Sequence, residues 1–322
     1  MRQVLWWLMA FWLMVPALSS AEVGSFREAK KLLKEHVYFD QNRGQQGTFY
    51  CGCNWKWVGE SGGRTDMASC GYQVRAQQNR AERTEWEHVL PSWTMGHQRQ
   101  CWQNGGRQNC VATDPVFRAM ESDLHNLVIA VGEVNADRSN YSFGTVQRSQ
   151  GYYGQCSFKV DFKARMAEPR DAVKGRVARI YFYMHDRYGL NMSRQQQQLL
   201  MAWDRMFPVD AWERERDARI ARVVGRHNPF VTGERHWTLG HRPTRDGLGG
   251  TATLTRADSQ REVFSAVSPD ARQPIRGNRN SRVFHLPQGC PSYDAMSPRN
   301  IVNFSSEAEA LSAGYRKAGN CS

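Results

Sequence analysis

Residues 120–140 read MESDLHNLVIAVGEVNADRSN, and residues 83–91 read RTEWEHVLP. In the longer stretch Leu127, Val128, Ile129 and Val131 make an apolar run of the length of a buried strand. Asn135 then begins a helix, with Asp137 in its first turn. Around that run stand Glu121, Asp123, His125, Asn126, Glu133, Asn135, Asp137 and Arg138, an unusual density of metal-binding and hydrogen-bonding groups. Taken singly, each of these is more often structural than catalytic. The shorter stretch sets the Glu87 carboxylate beside the His88 imidazole. On an extended strand the two side chains point to opposite faces, so they act together only where a bend or a shared cleft unites them.

Hydrolysis of a phosphodiester needs a base for the attacking water, a cation against the phosphate charge and stabilisation of the leaving oxygen. His88 can be neutral near pH 7 and take a proton from water. Glu87 and the amide oxygen of Asn135 offer hard oxygen ligands, and few protein ligands completed by water describe magnesium.

Outward from these motifs, Ser25 and Glu28 make a capping box before Phe26, Leu32, Leu33 and Val37, which predicts an amphipathic helix. Residues 40–80 are rich in Gly, Cys, Asn and aromatics and read as short strands and loops stapled by cysteine. The polar stretch 98–118 has no apolar period and reads as a loop. From 171 the pattern turns helical: Val173, Val177, Ile180, Tyr181, Met184 and Tyr188 share a face, as do Leu199, Leu200, Trp203 and Met206. Asp210 caps a further helix with Trp212, Ile220 and Val223 on its apolar side. Residues 233–274 are rich in Gly, Thr, Arg and Asp and read as a linker. Residues 275–322 recover strand-like and helix-like patches, too short for a large core without a staple.

Residues 1–21 carry one early charge, a short apolar run, Pro16 and the small residues Ser19, Ser20 and Ala21, the pattern of an export signal cleaved after Ala21. No later segment is apolar enough to cross a bilayer. The formal charge of +12, carried by arginine far more than lysine, favours a polyanionic partner. All eight cysteines follow the signal, which in an oxidising compartment implies disulfides. Cys101 pairs with Cys110 and Cys290 with Cys321. The pairing among Cys51, Cys53, Cys70 and Cys156 stays open, except that a Cys51–Cys53 bridge would be strained. No two histidines have the spacing of a zinc hydrolase, since His88 and His97 are separated across Pro91 and Gly96.

The motifs RTEWEHVLPSW, MESDLHNLVIAVGEVNADRSN, EPRDAVKGRVARIYFYM and GRHNPF, in this order, resemble the endonuclease I family of periplasmic and secreted bacterial nucleases. The resemblance runs from about Ser25 to Phe230. It implies an α+β fold: a mixed helical, disulfide-stapled domain over residues 22–232 built around a ββα-metal finger, in which a β-hairpin carries the base and the following helix a metal-binding asparagine. Position by position, His88 is similar to the family's general base, and Glu87 and Asn135 to its metal ligands. Arg107 is similar to the residue that binds the scissile phosphate, with Arg99 a competitor, and Glu121 to the one that holds a water near the leaving oxygen. Asp123, His125 and Asn126 would position the hairpin and helix by hydrogen bonds. Ala136 stands where glycine is expected after GEVN. The implied cofactor is Mg²⁺, with Mn²⁺ or Ca²⁺ as substitutes. The implied substrate is DNA, with RNA a second, held through phosphates by a monomer in the periplasm or outside the cell. Residues 275–322 resemble the metal-binding module of the Ada repair protein, as a small α/β unit, but their two cysteines favour a disulfide over a four-thiolate zinc site. The competing expectation is an exported protein that binds or imports nucleic acid without hydrolysing it, which has no need to keep Glu87, His88 and Asn135 together.

Overall fold

The structure, a computed structural model, describes residues 23–147 and 151–248, and in the tail residues 275–287, 290, 293, 296–304, 307–319 and 321. The expected signal segment lies outside them. The chain forms two compact units divided at Gly250 and Thr251.

Helix α1 (Phe26–Leu32) starts where expected: the Ser25 hydroxyl accepts from the Glu28 amide at 3.2 Å. The Glu28 carboxylate reaches back to the Gly24 amide at 3.0 Å, closing the cap from the other side. Its apolar face continues through a π-helical turn, Leu33–Val37.

Four antiparallel strands follow in spatial order: β1 (Asn54–Val58), β2 (Gly62–Asp66), β3 (Arg83–His88) and β4 (Leu127–Val131). All five residues of β4 are buried, because the sheet is covered on both faces. Leu127 and Ile129 meet Ala29, Leu33, Val37, Ile220 and Val224, whereas Val128 and Ala130 face the larger core around Phe117, Val134 and Val177. Helix α7 (Gly132–Arg138) starts directly after β4, three residues earlier than expected, so Asn135 sits in mid-helix. The two strands of the ββα unit are neighbours without a tight turn: residues 89–126 lie between them.

Those intervening residues hold α3 (Ser92–Gly96), α4 (Gln100–Gln103), α5 (Gly106–Thr113) and α6 (Pro115–Glu121), with α2 (Gln78–Ala81) before β3. The expected loop over 98–118 is therefore mostly helical. These helices are too short for an apolar stripe; local devices define them instead. Asp114 caps α6 ahead of Pro115, and the Cys101–Cys110 disulfide ties α4 to α5.

Downstream, β5 (Ser142–Phe143), β6 (Lys159–Asp161) and β7 (Met166–Glu168) form a small sheet in the order β5-β7-β6. Helices α8 (Asp171–Tyr188), α9 (Arg194–Met206) and α10 (Ala211–Val224) follow the predicted periods, and Asp210 caps α10 through the Glu213 amide. Met206 departs from its predicted face: at the helix end it is 68% exposed, while Leu200 and Trp203 are buried. Cys51 bonds Cys156 and Cys53 bonds Cys70, so neighbouring cysteines anchor β1 to two different loops.

The first part of the linker expected over 233–274 is instead packed against the first unit. After α11 (Pro229–Thr232), Trp237 is buried and stacks on Phe182 of α8 with centroids 4.9 Å apart. Asp186 of α8 accepts from Arg235, His241 and Thr244, holding this segment by specific pairs rather than by a periodic face. Residues 249–274 lie outside the described residues.

The second unit has β8 (Ile275–Asn278), β9 (Val283–His285), β10 (Ile301–Phe304), α12 (Glu307–Ser312) and β11 (Arg316–Lys317), with strand order β10-β8-β9-β11. Ile275, Phe284, Phe304, Ala310 and Tyr315 make its core, and the expected Cys290–Cys321 disulfide is present.

Candidate active site

β2 pairs with β3 only at Gly63–Thr84 and Arg64–Arg83, so from Glu85 to His88 one edge of β3 is free of strand partners. That edge resolves the conflict over opposite faces. Side chains from both faces of β3 converge on an open cleft of about 500 Å³ lined by Glu85, Glu87, His88, Arg107 and Asn135. Phe26 and Lys30 of α1 and Arg138 of α7 complete its wall.

His88 is buried at the end of β3, and its Nε2 lies 2.9 Å from the backbone carbonyl oxygen of Glu121. A carbonyl only accepts, so Nε2 carries the hydrogen and Nδ1 is left as an acceptor. The Phe26 ring packs 4.9 Å from the imidazole. Burial pulls the His88 pKa below its ordinary value, so the ring is neutral at neutral pH.

Glu87 is buried beside the cleft. Its Oε1 accepts from the Tyr50 hydroxyl at 2.9 Å and lies 3.5 Å from Nε of Arg138, a nitrogen with no hydrogen-bond partner. Burial pushes the Glu87 pKa up to about 7, against the pull of Arg138 and Tyr50. Asn135 donates its Nδ2 to Oε2 of Glu85 at 2.9 Å, which turns its Oδ1 away from that carboxylate. Glu85 is itself held by Arg80 and Arg83.

Arg107 is half-exposed in the cleft wall and donates from Nε (3.0 Å) and Nη2 (2.5 Å) to Oε2 of Glu121. The other Glu121 oxygen accepts from the Ser92 hydroxyl. Glu121 is thus buried behind the cleft with its carboxylate on Arg107 and its carbonyl on His88. The rival cation, Arg99, is bound to Asp114 and does not line the cleft.

Asp123, His125 and Asn126 are buried away from the cleft. Asp123 accepts from the hydroxyls of Tyr183 and Tyr188 at 3.0 and 2.8 Å. His125 sits between the Arg226 carbonyl and Asp217. Asn126 bonds both the amide and the carbonyl of Leu90, guiding the chain as it leaves β3.

Sequence reading missed Phe26, Lys30, Tyr50, Arg80, Glu85 and Ser92. Only Glu85 had a legible signal, because it lies two residues before Glu87 and so shares its strand face. Phe26 and Lys30 reach the cleft, and Tyr50 reaches Glu87, through contacts distant in sequence, while Arg80 and Ser92 lie close in the chain but carry no pattern that marks them.

Glu87, whose carboxylate accepts from Tyr50 and from the His88 backbone amide, and Asn135, whose Oδ1 has no hydrogen-bond partner among the described residues, offer hard oxygens in the same cleft beside a basic wall. That donor set suits a hard divalent cation. Residues 25–234 match the family described as Endonuclease I. The chain is 49% identical over 208 residues to an extracellular deoxyribonuclease of Aeromonas hydrophila, spanning 64% of this chain and 88% of that protein. A periplasmic deoxyribonuclease of the same species is 47% identical over 219 residues, 66% of this chain and 88% of its own. Endonuclease-1 of Buchnera aphidicola subsp. Baizongia pistaciae is 44% identical over 209 residues, 64% of this chain and 82% of its own. With the matching fold, a match over most of the first unit and these relatives, the chain belongs to the endonuclease I family.

Proposed function

We propose that this exported endonuclease cuts DNA without sequence specificity, using His88 as general base. The carrying observation is that a neutral imidazole with a free Nδ1 shares one cleft with the Glu87 carboxylate, the Asn135 amide oxygen and the Arg107 guanidinium. His88 Nδ1 takes the proton of the attacking water, whose oxygen bonds to phosphorus as a bridging P–O bond breaks. The Glu121 carbonyl holds the imidazole in the tautomer this requires. Arg107 contacts the scissile phosphate. Glu121, expected to hold a water near the leaving oxygen, acts in this proposal as a positioning residue for Arg107 and His88. Glu87 and Asn135 would hold one Mg²⁺, with Mn²⁺ or Ca²⁺ as substitutes, which would supply Lewis-acid stabilisation of the phosphate charge. Binding through phosphates carries no sequence information, which supports non-specific cutting and activity on RNA as well as DNA.

In the same reading residues 1–21 are the removed signal, the protein acts in the periplasm or outside the cell as a monomer, and residues 275–322 are an Ada-like accessory unit. The two relatives from Aeromonas hydrophila, named periplasmic and extracellular, support the exported setting. The test is incubation of the mature protein with supercoiled plasmid and with RNA, with and without EDTA. Nicking that EDTA abolishes is expected; binding of plasmid without cleavage in Mg²⁺ or Mn²⁺ would favour a non-hydrolytic nucleic-acid carrier.

A further inference from the structure

Lys56 of β1 pairs with Arg64 of β2, and Arg64 pairs with Arg83 of β3. Directly paired residues of antiparallel strands project from the same face, so three cations stand in one row across the sheet. All three are exposed. Like charges placed directly opposite destabilise a sheet, and only Arg83 at one end of the row has a carboxylate partner, Glu85, among the described residues. Lys56 and Arg64 make no ion pair or side-chain hydrogen bond among the described residues. The nearest carboxylate on the next rung, Asp66, is engaged as a cap, accepting from the Ser69 amide at 3.3 Å.

Protection of a sheet edge explains Lys56 alone, because β1 is an outer strand; Arg64 lies on an inner strand and gains nothing from that role. The row also has a direction. At its inner end Arg83 donates to Glu85 at 3.0 Å, and Glu85 lines the cleft beside Arg80. Two strand spacings make the row roughly 10 Å long. Each strand of a duplex presents one phosphate charge per about 3.4 Å of axis, so about three phosphates of one backbone fall within the length of the row.

We propose that Lys56, Arg64 and Arg83 form a phosphate track that carries the DNA backbone flanking the scissile bond away from the cleft. The inference rests on the nuclease reading of that cleft. The track makes binding stronger on long duplexes than on fragments that fill the cleft alone.

The test uses the full mature chain with Lys56→Ala/Arg64→Ala, sparing Arg83 because it contacts Glu85. Affinity for a long duplex is measured by fluorescence anisotropy in EDTA across a salt series, beside kcat/KM in Mg²⁺ on a long duplex and on a short oligonucleotide. A control, Lys163→Ala/Arg205→Ala, removes the same charge from exposed sites outside the row. The row variant should reduce the salt slope by about 2, near 0.9 for each lost phosphate contact. It should raise KM on the long duplex and leave the short substrate unchanged. A wild-type slope, a loss equal to the control's, or equal losses on both substrates would overturn the track. Wild-type protein that binds both substrates yet cleaves neither in Mg²⁺ or Mn²⁺ would sink the nuclease reading itself, a result separate from the slope comparison.

Discussion

At the scale of single residues, the different roles proposed for adjacent His88 and Glu87 follow from their contacts: a carbonyl fixes the first, while Tyr50 and Arg138 hold the second as a carboxylate beside the cleft. His88→Ala is expected to bind Mg²⁺ and DNA normally and to lose about a hundredfold to ten-thousandfold in rate, the usual worth of a general base. Glu87→Ala should instead weaken Mg²⁺ binding, with cleavage partly restored by raised Mg²⁺, and Asn135→Ala should do so more mildly. Calorimetric titration of Mg²⁺ beside plasmid cleavage checks all three; His88→Ala losing the metal while Glu87→Ala keeps it reverses the roles. The same environments set the pH response. The His88 pKa lies below the ordinary 6.5, so the base stays neutral and active above that lowered value. At saturating Mg²⁺ the acid limb of kcat/KM should therefore fall below 6.5. The Glu87 pKa is raised to about 7, so below it a proton competes with the cation. At limiting Mg²⁺ the limb should move up toward that value. Phe26→Ala lets water reach His88 and returns its pKa upward, so activity near about pH 6 should drop relative to about pH 8. Superimposable profiles for Phe26→Ala and wild type would refute the shielding role.

At the scale of elements, the ββα unit depends on how α7 is seated. A Cβ on Gly132 would lie 2.6 Å from the Arg80 carbonyl oxygen and 3.0 Å from Cδ of Glu85. Alanine's better helix propensity is worth up to about 1 kcal/mol. Overpacking against backbone typically costs about 1–3 kcal/mol. Packing should win: Gly132→Ala is expected to lower the melting temperature and, because Asn135 rides on α7, to weaken Mg²⁺ binding. Unchanged melting and unchanged titration would show that the helix can shift without moving its ligand. Elements with a long apolar period, such as α8 and α10, were legible in sequence because one stripe repeats many times. The short helices over 98–121 were not, since caps and a disulfide define them where no stripe exists.

At the scale of the molecule, the cleft residues belong to the first unit, and its packed chain extends to at least residue 248. A chain ending at residue 248 should keep full cleavage, whereas one ending at 235 loses the Trp237–Phe182 stack and the pairs of Asp186 with His241 and Thr244. The shorter chain should unfold at lower temperature; equal melting of the two would make that segment dispensable. A second prediction concerns acid. His125 and His185 are buried, which pulls each pKa from 6.5 to about 4. Below 6.5 the unfolded chain takes up protons that the folded chain refuses, so their contribution is whole above 6.5 and is lost as pH falls toward 4. Two such protons give a slope of at most about 2.7 kcal/mol per pH unit. Urea midpoints that do not change between about pH 7 and about pH 5 would contradict this.

Much of the molecule was determined by sequence neighbours alone. The Ser25–Glu28 cap, the buried run of β4, the helical periods after 171, the Cys101–Cys110 bridge and the Glu87–His88 pair all depend on residues a few turns or one short loop apart, and the Cys290–Cys321 bridge was legible because residues 275–322 hold only those two cysteines. Tertiary structure decided which of Arg99 and Arg107 enters the cleft, because Asp114 claims the first and Glu121 presents the second. It chose Cys156 and Cys70 as partners for Cys51 and Cys53, brought Phe26 over His88, and set Glu85 behind Asn135. Such choices join positions far apart in the chain. Their energies come from burial and from satisfying buried polar groups once the chain has collapsed, and no local period or cap records them.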